Sequence, residues 1–272
     1  MTSFLILGGT GKVGRRVARR LTDDGRSVRA ASRTGAGVRV DLADPAGWAP
    51  ALAGVTAAYL LEPDLRAGAD GRLGAFVAAA AEAGVRRLVL LSAPGATDPR
   101  HPLHAVERAV RDAGVGWTIL RPTWFAQNFS EGPWLPGVLA GTVALPTGDG
   151  RTPFVDAEDI AEVAASALTD DRHHGQVYEL TGPHALSVAA ATALIARATG
   201  RTVRHLDVTP EEYVARQAAA GVPVDVARLL AGALTGVREG RGAALADGVV
   251  RALGRPPHSF ADFVTASTPA WS

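Results

Sequence analysis

The 272-residue sequence contains no cysteine and only one lysine. Without thiols, the chain can form no disulfide, perform no thiol chemistry and build no cysteine-based metal site. Its seven histidines lack the spacing of metal ligands, so we do not expect a zinc site either. Any redox chemistry would therefore depend on a bound cofactor.

Long apolar runs and an excess of one charge are also missing. No run approaches the ~18 apolar residues that cross a bilayer, and the 28 basic residues nearly balance the 27 acidic ones. The arginines are scattered, which leaves no electrostatic footprint for nucleic acid or an anionic membrane. We therefore expect a cytoplasmic protein, a monomer or homodimer, that acts on a small-molecule substrate and has no nucleic-acid or membrane partner.

A glycine-rich turn, GGTGKVG at residues 8–14, follows the apolar run 4–7 and opens an amphipathic segment. In a strand, turn and helix of this kind, the glycines permit a tight turn and a close approach of the backbone to phosphate, while N–H groups at the helix start face the anion. The alternative is a structural turn that binds nothing, with Lys12 pointing into water. We favour a dinucleotide site with contacts from Gly8, Thr10, Gly11, Lys12, Val13 and Gly14.

The end of the second predicted strand indicates which dinucleotide is bound. An NAD site usually has an acidic residue there that accepts hydrogen bonds from the ribose 2′-hydroxyl, but this chain has Ser32 and Arg33. The planar guanidinium of Arg33 suits a 2′-phosphate, so NADP(H) is favoured over NAD(H). The alternative is that Arg33 is only a solvated loop charge. Further cofactor contacts are expected from Ser32, Asp41 and Leu61.

Apolar strands alternate with amphipathic helices through the first half of the chain. This order predicts an α/β fold with a parallel, doubly wound Rossmann sheet, because right-handed crossovers connect such strands. The second half is predicted to contain a loop-rich segment at 133–146 and then several helices, one of them at 243–253. We expect a single compact unit in which a Rossmann domain (1–125 and 150–182) carries a small, mostly helical substrate-side lobe (126–149 and 183–272).

Several motifs together resemble the NmrA-like family of atypical short-chain dehydrogenase/reductases. They are the glycine turn, the strand end 90–92, the segment 117–122 followed by Phe125 and Asn128, the segment 155–161, and the closing segments 254–257 and 259–264. The resemblance covers nearly the whole chain. It implies a Rossmann fold and a nicotinamide cofactor.

The family that this resemblance implies includes NADPH-dependent quinone reductases, enzymes that tailor natural products, and cofactor-sensing regulators with little or no catalysis. We expect an NADPH-dependent oxidoreductase that transfers hydride to a quinone or a polycyclic aromatic ketone. Two alternatives stay open. One is a non-catalytic NAD(P) sensor that reports to a protein partner, and the other is a tailoring enzyme that couples or cyclises aromatic polyketides without redox chemistry.

The chain lacks the acid–base pair that short-chain reductases of the usual kind employ, since none of its tyrosines has a lysine four residues later. The resemblance suggests His104 instead, because atypical members often have a histidine at this helix start with an acidic residue one turn on. Glu107 fits that pattern and could orient the ring. The alternatives are that His104 is an ordinary surface histidine or that His101 takes the role. A quinone needs little proton assistance, because water can protonate the hydroquinone anion.

Ser92 is the second candidate catalytic residue. It ends the fifth predicted strand, where short-chain reductases place a hydroxyl that polarises the substrate. A serine that only caps the strand is the alternative.

Aromatic side chains follow the sixth predicted strand and would suit a flat aromatic substrate. Asn128 would add a polar contact. The competing view, which we prefer for Phe125, is that these side chains bury the loop against the C-terminal helices. The predicted substrate contacts are Trp124, Phe125, Asn128 and Trp134.

Overall fold

The computed structural model describes residues 3–34, 37–63 and 71–272. Contacts between residues divide the chain into two compact units. Unit 1 comprises Met1–Pro122, Ala157–Leu180 and Asp247–Arg255, and unit 2 comprises Thr123–Asp156, Thr181–Ala246 and Pro256–Ser272.

Strands and helices alternate along most of the chain. The strands are β1 (Ser3–Leu7), β2 (Ser27–Ser32), β3 (Val38–Arg39), β4 (Val55–Leu61), β5 (Arg87–Leu91), β6 (Gly116–Pro122), β7 (Thr142–Leu145), β8 (Arg151–Thr152), β9 (Gln176–Leu180), β10 (Leu186–Ser187) and β11 (Arg204–Asp207). The helices are α1 (Lys12–Asp23), α2 (Trp48–Leu52), α3 (Arg72–Glu82), α4 (His104–Arg111), α5 (Leu135–Leu139), α6 (Ala157–Thr169), α7 (Val188–Thr199), α8 (Pro210–Ala219), α9 (Val224–Arg238), α10 (Gly248–Leu253) and α11 (Phe260–Ser267). Within the described ranges, no helix combines the length and the hydropathy needed to span a membrane.

Unit 1 is built around a parallel sheet with the strand order β3-β2-β1-β4-β5-β6-β9. The chain first runs outward from β1 to β3, then returns to β4 and continues to β9. The winding direction therefore reverses between β1 and β4. In such sheets the dinucleotide lies across the carboxyl ends of the strands at this switch point. The predicted α/β fold with a doubly wound Rossmann sheet is confirmed.

The central strands are buried because their residues are apolar on both faces of the sheet. Phe4, Leu5 and Ile6 of β1 are at most 2% exposed, as expected for parallel strands that helices cover on both sides. On one face, Trp48 of α2 packs edge-on against Phe76 of α3, with ring centroids 5.3 Å apart. Both rings belong to the hydrophobic core of unit 1.

Unit 2 has a core of aromatic side chains. The rings of Phe129, Phe154 and Phe260 lie 5.4 to 5.5 Å from one another. Trp271 donates an indole hydrogen bond of 2.8 Å to the carbonyl oxygen of Phe129. Two short strand pairs complete the unit, parallel β7 with β11 and antiparallel β8 with β10.

Two details of the second half correct the sequence prediction. The segment 133–146 is not simply a loop, because it contains α5 and β7, and β7 is paired along its whole length with the distant strand β11. The predicted helix 243–253 begins only at Gly248. The backbone of Ala246 instead exchanges two hydrogen bonds with the hydroxyl of Thr181, at 3.1 and 3.2 Å. Both differences arise from tertiary pairing.

Unit 1 contains residues 247–255, a segment that the sequence analysis assigned to the second lobe. A Cβ atom on Gly248 would lie 2.2 Å from the carbonyl oxygen of Glu179 on β9. Glycine alone permits this close approach of α10 to the sheet. Arg255 then pairs with the buried carboxylate of Asp159 at 2.8 Å.

Candidate functional site

The turn at residues 8–14 is closed by backbone hydrogen bonding and has little room for side chains. The amide of Gly11 donates to the carbonyl of Gly8 at 2.8 Å. A Cβ atom on Gly14 would lie 2.2 Å from the Gly8 oxygen, and one on Gly8 would lie 2.4 Å from Leu61 at the end of β4. Gly8 also has a φ of +62°. The result is a bare backbone surface where β1 meets α1, which is the cradle that a pyrophosphate needs.

The start of α1 is electropositive. Gly11 is the N-cap, and among the described residues no side chain caps the helix and no acidic residue lies in its first turn. Burial lowers the pKa of Lys12, and the nearby charges of Arg15 and Arg16 lower it further. Helix N-termini attract anions through their N–H groups and the helix dipole. The residues present therefore fit a bound pyrophosphate.

Two further predicted contacts in the turn take different positions. Thr10 is exposed, so its hydroxyl can reach a ligand in front of the turn. Val13 is 4% exposed and belongs to the core under α1. Only the backbone N–H of Val13 can therefore face a phosphate.

A cluster of ion pairs holds α1 against α6. Glu158, in the first turn of α6, accepts hydrogen bonds of 2.8 to 3.0 Å from Arg16, Arg19 and Arg20. Burial would raise the pKa of Glu158, but these arginines outweigh burial and lower it. The sequence offered two separate signals, an arginine-rich helix and an acidic helix start, and only the fold brings them together.

The remaining cofactor candidates lie at the carboxyl ends of β2, β3 and β4. Arg33 follows β2, is exposed, and has no hydrogen-bond or ion-pair partner in the described part of the chain. Ser32 is partly buried at the end of the same strand. Asp41 follows β3, where its carboxylate accepts a hydrogen bond from the amide of Ala43 at 2.9 Å and so shapes the turn. Leu61 ends β4 beside the glycine turn.

Ser92 is buried in a charged network at the carboxyl ends of β5 and β6. Its hydroxyl donates a hydrogen bond of 2.7 Å to Oε1 of Glu107 on α4. The same carboxylate accepts hydrogen bonds of 2.8 and 2.6 Å from Arg121 and pairs with Arg111 at 3.1 Å. Arg121 also donates to Glu179 on β9 at 3.0 Å. Ser92 is therefore anchored to a salt bridge between a helix and the neighbouring strand.

In this network, Glu107 and Arg121 each stabilise the charged form of the other. Burial would raise the pKa of Glu107, but hydrogen bonds from Arg121 and Ser92 outweigh burial and lower it. The hydrogen bond to Glu107 in turn raises the pKa of Arg121. An ionised carboxylate can only accept hydrogen bonds. No role was predicted for Arg121. Its position near the end of an otherwise apolar strand is the sequence feature that could have indicated one.

His104 begins α4, but it does not pair with Glu107 among the described residues, because the network above occupies that carboxylate. Its Nδ1 lies 3.1 Å from the carbonyl oxygen of Ala96. A carbonyl only accepts, so Nδ1 must carry the proton and Nε2 is the nitrogen that can serve another group. The half-buried ring is thus oriented by the preceding loop and not by a carboxylate.

His101 has the opposite arrangement. Its Nδ1 accepts a hydrogen bond of 3.1 Å from the amide of Leu103, so the neutral ring carries its proton on Nε2. Burial lowers the pKa of His101, against the opposing charge of Glu107. The hydrogen bonds therefore assign different tautomers to the two histidines, with the proton on Nδ1 in His104 and on Nε2 in neutral His101.

The predicted substrate contacts lie in unit 2 and differ in burial. Trp134 is 5% exposed and belongs to the core of the unit. Trp124 is half-buried and lies against Trp134, with ring centroids 5.5 Å apart. Phe125 is also half-buried, and Asn128 is 7% exposed at the end of a short 3-10 turn. Trp124 and Phe125 thus offer more accessible surface than Trp134.

Solved structures that share this fold include nicotinamide-binding proteins. An NADPH-dependent quinone oxidoreductase from Escherichia coli, also solved in complex with NADPH, aligns with a TM-score of 0.79 and 23% identity over 97% of this chain and 98% of that one. NmrA, a negative transcriptional regulator solved with NAD, aligns with a TM-score of 0.73 and 18% identity over 98% of this chain and 95% of that one. At these identities the likeness shows the shared fold.

Sequence relatives of this chain include reductases. It is 37% identical over 278 aligned residues to a (4-alkanoyl-5-oxo-2,5-dihydrofuran-3-yl)methyl phosphate reductase of Streptomyces griseus, covering 96% of each chain. It is 34% identical over 280 aligned residues to an uncharacterized oxidoreductase of Bacillus subtilis, covering 99% of this chain and 96% of that one. Residues 2–235 of this chain match the model of one protein family, the NmrA-like family. The predicted resemblance is confirmed, and this chain belongs to the NmrA-like family, among oxidoreductases.

Proposed function

We propose that this protein is a cytoplasmic, NADPH-dependent oxidoreductase that transfers hydride to a quinone or a polycyclic aromatic ketone. The observation that carries the proposal is the carboxyl edge of the unit 1 sheet, where the bare glycine turn and the basic start of α1 lie next to the exposed Arg33. NADPH would supply the hydride, and the protein would supply orientation and electrostatics.

Different residues are proposed to bind the different parts of the dinucleotide. The backbone of the glycine turn, with Lys12, would bind the pyrophosphate. Arg33 would form a bidentate contact with the 2′-phosphate that distinguishes NADPH from NADH. Asp41 and Ser32 would contact the adenosine half, and Leu61 would pack under the nicotinamide half.

A quinone acceptor agrees with the acid–base groups that are present. Hydride transfer to a quinone leaves a stabilised anion, so the reaction does not require a tyrosine–lysine pair. We propose His104 as the group that relays a proton to this anion. Its Nδ1–H fixes the ring on the Ala96 carbonyl, and Nε2 would take up a proton from solvent and pass it to the anion. Trp124 and Phe125 would contact the aromatic rings of the substrate, Asn128 would bind a carbonyl oxygen, and Trp134 would support Trp124 from the core.

The test is oxidation of NADPH by the purified protein, followed by absorbance against benzo-, naphtho- and anthraquinones, with NADH in parallel. We expect saturable turnover with at least one quinone class and a preference for NADPH. Failure to bind either dinucleotide would reject the proposal. Saturable turnover with NADH alone would reject the role of Arg33.

A cofactor sensor is the second candidate, and the buried position of Ser92 favours it. The hydroxyl of Ser92 already donates to Glu107, so no hydroxyl at this strand end is set to polarise a substrate. Tight and unequal binding of oxidised and reduced cofactor, without turnover of any acceptor, would support the sensor. Cofactor-independent conversion of an aromatic polyketide would instead support a tailoring enzyme.

A further inference from the structure

The hydrogen bond of Ser92 has only one possible direction. Its oxygen lies 2.7 Å from Oε1 of Glu107, while Arg121 and Arg111 contact the same carboxylate with three guanidinium nitrogens in all. A carboxylate held by two guanidinium groups is ionised and has no proton to donate. The hydroxyl proton of Ser92 must therefore point at Glu107, and the oxygen keeps only acceptor capacity for any other partner.

Ser92 lies at the carboxyl end of β5, where the nicotinamide half of the cofactor is expected. This step rests on the proposed function. Arg33 and Asp41 mark the adenosine half at the ends of β2 and β3. The nicotinamide half would lie beyond the switch point, over the ends of β4 and β5. Neighbouring strands are about 4.8 Å apart, so Ser92 stands one strand spacing past Leu61.

We propose that Ser92 accepts a hydrogen bond from the carboxamide N–H of the nicotinamide, and that Glu107 is a positioning residue that sets this polarity. The role differs from a hydroxyl that donates to a substrate carbonyl. Ser92 would select a ring substituent that donates over one that only accepts. Buried and ion-paired, Glu107 cannot reverse the direction while Arg121 remains in place.

The test compares binding of NADP⁺ with binding of its 3-acetylpyridine analogue, in which a methyl ketone replaces the carboxamide and removes the N–H donors. Dissociation constants come from calorimetric titration of the full-length protein without substrate. The wild type should bind the analogue about tenfold more weakly, the effect of one buried hydrogen bond. Ser92→Ala should reduce this ratio to less than about twofold.

Ser166→Ala is the matched control. Ser166 is a serine of unit 1 whose hydroxyl lies 2.8 Å from Nε2 of His173, at the C-terminal end of α6 and away from the carboxyl ends of the strands. Its removal should leave the wild-type ratio unchanged, while a change equal to that of Ser92→Ala would overturn the proposal.

Glu107→Gln tests the positioning role. The glutamine amide can donate to Ser92 and so release the hydroxyl to donate outward. The ratio between the two dinucleotides should then shrink or reverse, whereas a ratio near tenfold in the folded variant would reject the positioning role of Glu107. Thermal melting checks folding, and if the variant does not fold, the result with Ser92→Ala decides.

Two outcomes would reject the inference. They are equal wild-type affinity for both dinucleotides, and a tenfold ratio that survives in Ser92→Ala. If NADPH-dependent quinone turnover is still observed in either case, the proposed function stands and only this role of Ser92 fails. If neither dinucleotide binds, the proposed function fails together with it.

Discussion

The guanidinium of Arg121 makes two parallel hydrogen bonds to the carboxylate of Glu107, with Nε 2.8 Å from Oε1 and Nη2 2.6 Å from Oε2. The Arg121 and Glu107 side chains are 8% and 1% exposed. A buried pair of this kind contributes little by itself, because the attraction is offset by the loss of hydration. It does, however, make each partner strongly dependent on the other.

Arg121→Met should therefore destabilise the protein by about 3–5 kcal/mol, because it leaves Glu107 as a buried charge without its main partner. Urea unfolding measures the free energy. Arg100→Met is the control, since Arg100 pairs with Asp98 on the surface and its loss should leave the unfolding midpoint unchanged. Equal effects of the two substitutions would contradict the buried character of the network.

Gly14→Ala should lower the melting temperature and abolish NADPH binding. The added Cβ atom would meet the Gly8 oxygen at 2.2 Å, so the turn between β1 and α1 would have to open. Gly25→Ala is the matched control at the other end of α1. Gly25 has φ +71° and open space around it, so alanine there adds only backbone strain of about 1–2 kcal/mol. NADPH affinity unchanged in Gly14→Ala would contradict the placement of the pyrophosphate.

Arg33→Ala should weaken NADPH binding by about 10- to 100-fold and leave NADH binding nearly unchanged, because a charge-assisted contact to the 2′-phosphate is lost. Fluorescence titration with both dinucleotides gives the ratio. Arg26→Ala removes an exposed arginine just before the start of the same strand and should leave that ratio at its wild-type value. Equal losses for NADPH and NADH in Arg33→Ala would argue against a 2′-phosphate contact.

NADPH affinity should fall as the pH rises through the lowered pKa of Lys12. Burial and the nearby arginines disfavour its ammonium form in the free protein, whereas a bound phosphate would stabilise that form. Binding should therefore take up a proton on the alkaline side and lose about tenfold in affinity once Lys12 is neutral. Titrations between pH 8 and pH 10 test this, because the 2′-phosphate of NADPH, with a second pKa of about 6, stays ionised in that range. A Lys12→Arg variant should show a flat profile, and an equally steep one would point to another group.

His104→Gln should lower kcat with a responsive quinone, but by less than the roughly 100-fold typical of general acid catalysis, because water can also protonate the hydroquinone anion. The Kd for NADPH should stay at its wild-type value, because the cofactor contacts are not removed. Stopped-flow reduction measures the chemical step. His184→Gln, at an exposed position of unit 2, should be silent. If His104→Gln retains the full rate, His104 is an ordinary surface residue, and His101 is the next to be tested.

Much of unit 1 could be predicted from the sequence because its signals are local. The spacing of Gly11 and Gly14 after Gly8 describes a turn in which a Cβ on either of the two later glycines would meet the Gly8 oxygen. The apolar strands and the helices between them leave few topologies for a parallel sheet, since crossovers are right-handed. The position of Arg33 after β2 follows from the same short-range pattern.

The network around Ser92 could not be predicted in the same way. Glu107 looked like a partner for His104, because residues three apart share a helix face. The fold instead brings Arg121 from β6 against that face, and a guanidinium is a stronger partner for a carboxylate than a histidine ring whose Nδ1 is bound elsewhere. Trp134 likewise reads as a substrate contact in the sequence but lies in the core of unit 2.

The sequence by itself determined the Rossmann fold, the glycine turn and the resemblance to the NmrA-like family, because each depends on patterns within short segments of the chain. Only the tertiary structure decided that the Ser92 hydroxyl donates to Glu107, that Glu158 gathers the arginines of α1, and that residues 247–255 pack on unit 1. Each of these contacts joins separate elements of the fold. Their geometry depends on strand order and helix packing, which bring together groups that no local spacing relates.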